Sequence, residues 1–176
     1  MPFPGRGEYR VALGLPRETR RDLDAFAPDI VHVSAPDPMG RAAQGYAQAH
    51  FLRQRAIEDT LDTLAVINRR FDVALDIGAG DGGFGRALAV SRAADRIGLL
   101  IEGELSPALS AQQSGPARLV MDEEALPFGD DSLNLVVSTL ALHSVNDLPG
   151  VLVQVRRALR PDGLFIATLF GGETLK

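Results

Sequence analysis

Residues 74–85, ALDIGAGDGGFG, decide the fold of this 176-residue chain. The apolar run 72–77 (DVALDI) reads as a strand entering a glycine-rich turn, and 84–92 reads as the helix that leaves it. The same alternation continues downstream. Residues 97–103 (IGLLIEG) predict a second strand and 107–113 a short helix opened by Pro107. Residues 117–121 (ARLVM) predict a third strand and 133–138 (LNLVVS) a fourth, after the turn signal PFGDDS. The segment 147–159 predicts a helix with Asp147 as N-cap and Pro149 in its first turn, stopped by Arg160-Pro161-Asp162-Gly163. A fifth apolar run, 164–170 (LFIATLF), closes the pattern. Continuous apolar strands alternating with helices predict a mostly parallel sheet covered on both faces, a Rossmann-like doubly wound α/β domain. Ligands of such sheets sit at the carboxyl ends of the strands.

That domain takes up residues 71–176. Before it, from Ala42 to Arg70, there is no proline, and Ile57, Leu61 and Leu64 recur at the spacing of an amphipathic stripe, so 41–70 predict a leading helix. Residues 1–40 hold six of the eleven prolines and predict an irregular arm, without a long helix or a central strand. Glu8, Glu18, Asp22 and Asp24 interrupt any export signal or presequence, which points to the bacterial cytoplasm.

Composition excludes several classes of function. With 45% hydrophobic and 23% charged residues the chain is globular, and it lacks the apolar run a membrane span needs. A net charge of −5 argues against nucleic acid, which requires clustered cation. The absence of cysteine removes thiolate chemistry, and His32, His50 and His143 share no ligand spacing, so no metal is expected. Of 18 basic residues only Lys176 is lysine, a skew that with the heavy use of alanine reads as GC-rich ancestry.

Gly78, Gly80 and Gly83 satisfy G-x-G-x-x-G, so a dinucleotide and another adenosyl ligand compete for the turn, with a purely structural turn as third reading. Charge separates them. A dinucleotide would bring its pyrophosphate to a turn flanked by Asp76 and Asp81, whose carboxylates repel it. S-adenosylmethionine, with a sulfonium and an ammonium, suits that rim. Glu104, at the end of the second strand, can accept both ribose hydroxyls, with Glu102 as competitor. After the third strand, Asp122 can accept from an adenine amino group.

Taken together, DIGAG, the acid of GELSP, DEEALPF, LNLVVSTLALHSVND and LRPDGLFIATLFGGETL resemble class I S-adenosylmethionine-dependent methyltransferases of the methyltransferase-11 type. Within them the chain is most similar to the family of the mitochondrial complex I assembly factor and its α-proteobacterial relatives. The carrier-protein methyltransferase of biotin synthesis is a more distant cousin. The likeness covers about residues 48–176. It implies Asp76, Gly78 and Gly80 at the methionine end, Glu104 and Leu105 at the ribose, Asp122 and Glu123 at the adenine, and Ser138 lining the floor. Where the family usually reads His-Trp-Val, this chain has His143-Ser144-Val145, and residues 1–40 do not resemble the family.

The resemblance implies methyl transfer to a protein or carrier-bound acceptor, with His143 the one candidate base. It also raises two other readings: an assembly protein that binds the cofactor as a chaperone or acts as an arginine hydroxylase, and a malonyl carrier-protein carboxyl methyltransferase. A complete class I sheet has the order 3-2-1-4-5-7-6. Only five strands are legible here, so the expected core is truncated after strand 5, with 164–170 an open apolar edge that invites self-association.

Overall fold

The computed structural model describes residues 10–11, 31–34 and 45–170, and side chains from Phe51 onward. Its elements are β1 (Arg10–Val11), β2 (Val31–Ser34), α1 (Gly45–Val66), β3 (Phe71–Ile77), α2 (Gly83–Ala89), β4 (Ile97–Glu104), α3 (Pro107–Ser110), β5 (Ala117–Val120), β6 (Leu133–Thr139), α4 (Leu148–Ala158) and β7 (Leu159–Thr168). Single 3-10 turns lie at Ala94–Arg96 and Leu142–Ser144.

Among the described residues the strands form one sheet in the order β1-β2-β7-β6-β3-β4-β5, every pair parallel. The five strands read from the sequence are β3, β4, β5, β6 and β7, so the segment β5-β4-β3-β6-β7 carries the expected 3-2-1-4-5 order. β3 lies in its middle, and the glycine turn therefore leaves the sheet where the order reverses, the crevice in which such sheets hold ligands.

Strand alternation builds two cores from the same strands. Leu75, Val136, Phe165 and Ala167 face one way and pack with Val151, Leu152 and Val155 of α4. Ala74, Leu135, Val137, Leu164 and Ile166 face the other and meet Ile57, Leu61 and Leu64 of α1 with Phe84 and Leu88 of α2. Both faces being apolar is why the strands read as unbroken hydrophobic runs. Helix starts follow local chemistry. Asp147 Oδ1 accepts from the Gly150 N–H at 3.0 Å with Pro149 in the first turn of α4, and Ser106 caps α3 by accepting from the Leu109 N–H.

Two sequence expectations change. Residues 1–40 are not irregular throughout: Val31–Ser34 form a strand that pairs with Phe165–Thr168. β7 is therefore interior to the sheet along that stretch, and the open edge expected at 164–170 is covered over Phe165–Thr168. Pro28, Pro36 and Pro38 exclude a long element, yet they bracket the β-branched VHVS rather than interrupt it. The rest of the arm lies outside the described residues. Secondly, Arg160-Pro161-Asp162-Gly163 do not separate helix from strand. β7 begins at Leu159, and the register shifts between Leu133 opposite Leu159 and Leu135 opposite Leu164, with Asp162 in the left-handed region. A bulge absorbs the turn residues.

The stripe on α1 has a measurable consequence. Leu64 is fully buried whereas Val66, two residues on, is 82% exposed. Leu64→Ala should lower the unfolding free energy by about 2–5 kcal/mol in urea titrations, and Val66→Ala should shift it by no more than ~0.5 kcal/mol.

Candidate functional site

Backbone sterics shape the turn after β3. Gly78 and Gly80 have φ of 70° and 56°, and a β-carbon at Gly78 would collide with that of Ala141 in the loop after β6. A side chain is thus excluded twice at Gly78, by conformation and by contact. The turn is also fully tied. Ala79 N–H donates to the Gly103 carbonyl at 2.9 Å, Gly80 N–H to Glu104 Oε2 at 2.8 Å, and Gln113 Nε2 to the Gly80 carbonyl at 2.9 Å. Ser138 Oγ donates to the Ile77 carbonyl at 3.0 Å, which fixes the end of β3 from beneath.

Asp76, the last acid of β3, is the electrostatic anomaly. It is fully buried, and neither carboxyl oxygen has a hydrogen-bond partner. Burial pushes its pKa up to about 8; Arg53 opposes the shift, and Glu102 and Glu104 add to it. Asp81, the second acid of the expected rim, is in a different state. Burial raises its pKa, but the hydrogen bond from Arg86 at 2.5 Å and the charges of Arg86 and Arg53 bring it below the ordinary carboxylate value. With Asp81 neutralised by arginine, the charge argument for a cationic ligand rests on Asp76.

The two glutamates of β4 divide their work. Glu104 lies at the carboxyl end, where Oε2 takes the Gly80 N–H and Oε1 takes the Ser106 N–H at 2.9 Å. Each oxygen keeps a lone pair for a ligand hydroxyl. Glu102 is buried on the far side of the turn, accepts the Gly115 N–H at 3.1 Å, and leaves no room for a β-carbon at Gly82, Gly85 or Gly115. Burial raises its pKa too. Glu102 is a packing residue, and Glu104, also buried, lies at the carboxyl end of β4. Leu105 follows it with an exposed side chain.

The loop after β5 is clamped at its third acid. Glu124 Oε1 accepts from Asn146 N–H and Nδ2 at 2.6 and 2.9 Å, Gln154 Nε2 donates to the Glu124 carbonyl at 2.7 Å, and Leu126 N–H donates to Gln154 Oε1. Asp122 Oδ1 accepts the Glu124 N–H at 2.8 Å and stays exposed. Glu123 turns toward Gly78, with its pKa raised chiefly by burial. His143, in the 3-10 turn after β6, is half-buried with Nδ1 unpartnered, and its ring meets Phe170 edge-on at a centroid distance of 4.6 Å. Burial lowers its pKa, so the imidazole is neutral at pH 7. Phe170 thus supplies an aromatic ring beside His143 in a chain whose own motif has Ser144 in place of tryptophan.

The sequence reading missed Arg53 and Gln113. Arg53 of α1 donates from Nη2 to the carbonyls of Gly78 at 3.3 Å and Ala79 at 2.7 Å. It extends the Ile57, Leu61, Leu64 stripe one turn toward the N-terminus, and a cation in line with a buried stripe is the signal that could have found it. Gln113 sits in an aperiodic loop and gave no signal.

These residues can hold a nucleoside whose other end carries a cation. Asp76 offers a buried, unpaired carboxyl, Glu104 lies at the carboxyl end of β4, and Asp122 and Glu123 lie in the loop after β5. Residues 75–167 match the methyltransferase-11 family model, described as a methyltransferase domain. The chain is 37% identical to arginine-hydroxylase NDUFAF5, mitochondrial, of Danio rerio over 71% of its length and 39% of that protein. It is 33% identical to the malonyl acyl-carrier-protein O-methyltransferase of Gallionella capsiferriformans, over 77% of this chain and 50% of that one. The chain therefore spans half or less of these relatives. An S-adenosylmethionine-dependent methyltransferase from Mesorhizobium loti superposes with a TM-score of 0.53 at 26% identity, covering 64% of this chain and 52% of the other.

The unpaired Asp76 carboxyl sets a pH dependence. An unfolded aspartate titrates near 3.9, so between about pH 4 and 8 the folded chain holds a proton that the unfolded chain has released, and stability falls as pH rises through that window. Asp76→Asn removes this penalty. Its melting temperature without ligand should exceed that of the parent at pH 8, by about 2–4 °C for each kcal/mol recovered, with the gap closing toward pH 4 in thermal scans.

Proposed function

This chain belongs to the methyltransferase domain family, and from that premise we propose that it binds S-adenosylmethionine at the carboxyl edge of β3, β4 and β6 and serves methyl transfer to a protein or carrier-bound acceptor. The carrying observation is Asp76, a buried carboxyl without a partner at the glycine turn. A dinucleotide would set its pyrophosphate against that group and gain nothing from it, whereas an ammonium or sulfonium would ionise it and supply the missing partner.

When bound, the cofactor supplies an electrophilic methyl group, so the protein's contribution is alignment and exclusion of water. The chain's own residues do this in an ordered way. Glu104 orients the ribose while holding the turn through Gly80, so ligand position and turn position are set by one carboxylate. Asp122 and Glu123 receive the adenine on a loop that Asn146 and Gln154 keep from moving. Ser138 holds the floor through the Ile77 carbonyl. His143, neutral and beside Phe170, can accept an acceptor proton at Nδ1.

The relatives' names favour two acceptors: a carrier-bound malonyl carboxylate, which would become a methyl ester, and an arginine-bearing protein. For the second, hydroxylation in place of methylation, or binding as a chaperone without turnover, is the competing reading. A link to complex I assembly follows from the sequence resemblance and belongs to the same acceptor question. Among the described residues no helix is long and apolar enough to cross a membrane, and the proposed setting is the bacterial cytoplasm.

Calorimetry should show binding of S-adenosylhomocysteine and none of NAD; the reverse result overturns the assignment. Glu104→Gln should weaken the sulfur nucleoside about 10-fold or more, as expected for charge-assisted hydrogen bonds to ribose worth ~1.5–3 kcal/mol. Incubating the chain with S-adenosylmethionine and bacterial lysate fractions, then mapping modified partners by mass spectrometry, distinguishes the readings. A gained methylene with release of S-adenosylhomocysteine supports methyl transfer, a gained oxygen supports hydroxylation, and a captured but unmodified partner supports the chaperone.

A further inference from the structure

Parallel strands are joined by crossovers that pack a helix on the sheet. The crossover from β4 to β5 holds a single helical turn, α3, followed by turn and loop through Pro116. One turn of helix is too short to cover the β4–β5 half of the face that carries α1 and α2. The shortfall leaves a cavity of about 420 Å³ between α2, the first half of β4 and the segment before β5. That volume falls within the range of small-molecule sites, roughly 300–1,000 Å³. Its walls are apolar, with Leu88 from α2, Ala94 from the 3-10 turn, and Ile97 and Leu100 from β4.

One charged side chain, Arg86, lines this cavity, and no acid does. Arg86 Nη2 holds Asp81 Oδ2 at 2.5 Å and Nη1 holds the Asp81 carbonyl, yet the side chain remains 47% exposed and keeps unused N–H donors. Glu102 stands behind the wall, where a β-carbon at Gly85 or Gly115 would strike its carboxyl. Its Oε2 is spent on the Gly115 N–H. Burial raises its pKa, against the opposing charges of Arg86 and Arg118, so it adds little negative charge there. We propose that this cavity binds an amphipathic monocarboxylate, a fatty-acid-like chain whose hydrocarbon lies on Leu88, Ala94, Ile97 and Leu100 and whose carboxylate takes the remaining donors of Arg86. Each end sets a condition. The apolar wall rewards every methylene removed from water, and the guanidinium favours a carboxylate over an alcohol and repels an amine. None of the lining residues belongs to the set proposed for the nucleoside, so this site stands independently of that reading.

The test is an amide NMR titration of the isotope-labelled whole chain with butanoate, hexanoate and octanoate, and with octanol as the uncharged control. Octanoate should shift the resonances of residues 85–89, 97–100 and 114–116 and reach saturation. Affinity should rise about 3- to 4-fold for each added methylene, and octanol should bind about 10-fold or more weakly than octanoate. Arg86→Met, which keeps the stem but loses the charge, should weaken octanoate alone. Ala89→Phe and Ser114→Phe fill the cavity from opposite walls, and either one, with its thermal transition unchanged, should abolish binding. Saturating S-adenosylhomocysteine should leave octanoate in place. Unsaturable shifts spread over the surface, an affinity indifferent to chain length, or equal binding of acid and alcohol by the parent overturn the proposal. So do equal weakening of acid and alcohol by Arg86→Met, binding that survives both fillings, and displacement by S-adenosylhomocysteine.

Discussion

An acid buried without a hydrogen-bond partner is costly for a small domain to hold, and the Asp76 carboxyl is one, kept protonated up to about pH 8 by its burial. Its position is dictated by the sheet. It lies one residue before the end of β3, between β4 and β6, paired with Glu102 and Val137. The turn beyond it must then be compact enough to leave room for a ligand over the acid. That demand is met by positive φ at Gly78 and Gly80 and by the close approach of Ala141.

The other charges at this edge are arranged around that cost. Glu104 accepts backbone N–H groups on both oxygens, and Glu102 accepts the Gly115 N–H on Oε2. Both nonetheless raise the cost of ionising Asp76, which Arg53 offsets. Among these three acids Glu102 and Glu104 have backbone partners and Asp76 has none. A local conflict of this type marks a place where stability gives way to function.

Much of this was legible in the residues. The order of elements, the parallel sheet and the cap at Asp147 follow from periodicity and capping chemistry, both of which act locally. What was not legible depends on tertiary contact. Arg53 lies some two dozen residues before the turn it covers, and Asp81 looked like part of an anionic rim until Arg86 was found to neutralise it. The strand at Val31–Ser34 was hidden by the prolines around it. Proline sets the maximum length of an element, and four β-branched or polar residues between two such limits are still enough to pair with β7.

The distribution of unsatisfied atoms supports the proposed site independently of any resemblance. Folded proteins leave few buried polar side-chain atoms without partners, and each such atom calls for a cause. Among the described residues these atoms are Arg53 Nε, both oxygens of Asp76, Thr139 Oγ1 and His143 Nδ1. Asp76, Thr139 and His143 lie at or just beyond the carboxyl ends of the adjacent strands β3 and β6, and Arg53 is hydrogen-bonded to the turn that joins β3 to α2. The amino ends of those strands contribute none. If the orphaned groups were accidents of packing they would scatter through both cores, which are otherwise apolar and closed. Their convergence on one side of one crevice is the pattern of a polar surface whose hydrogen-bonding capacity is completed by something other than the chain itself.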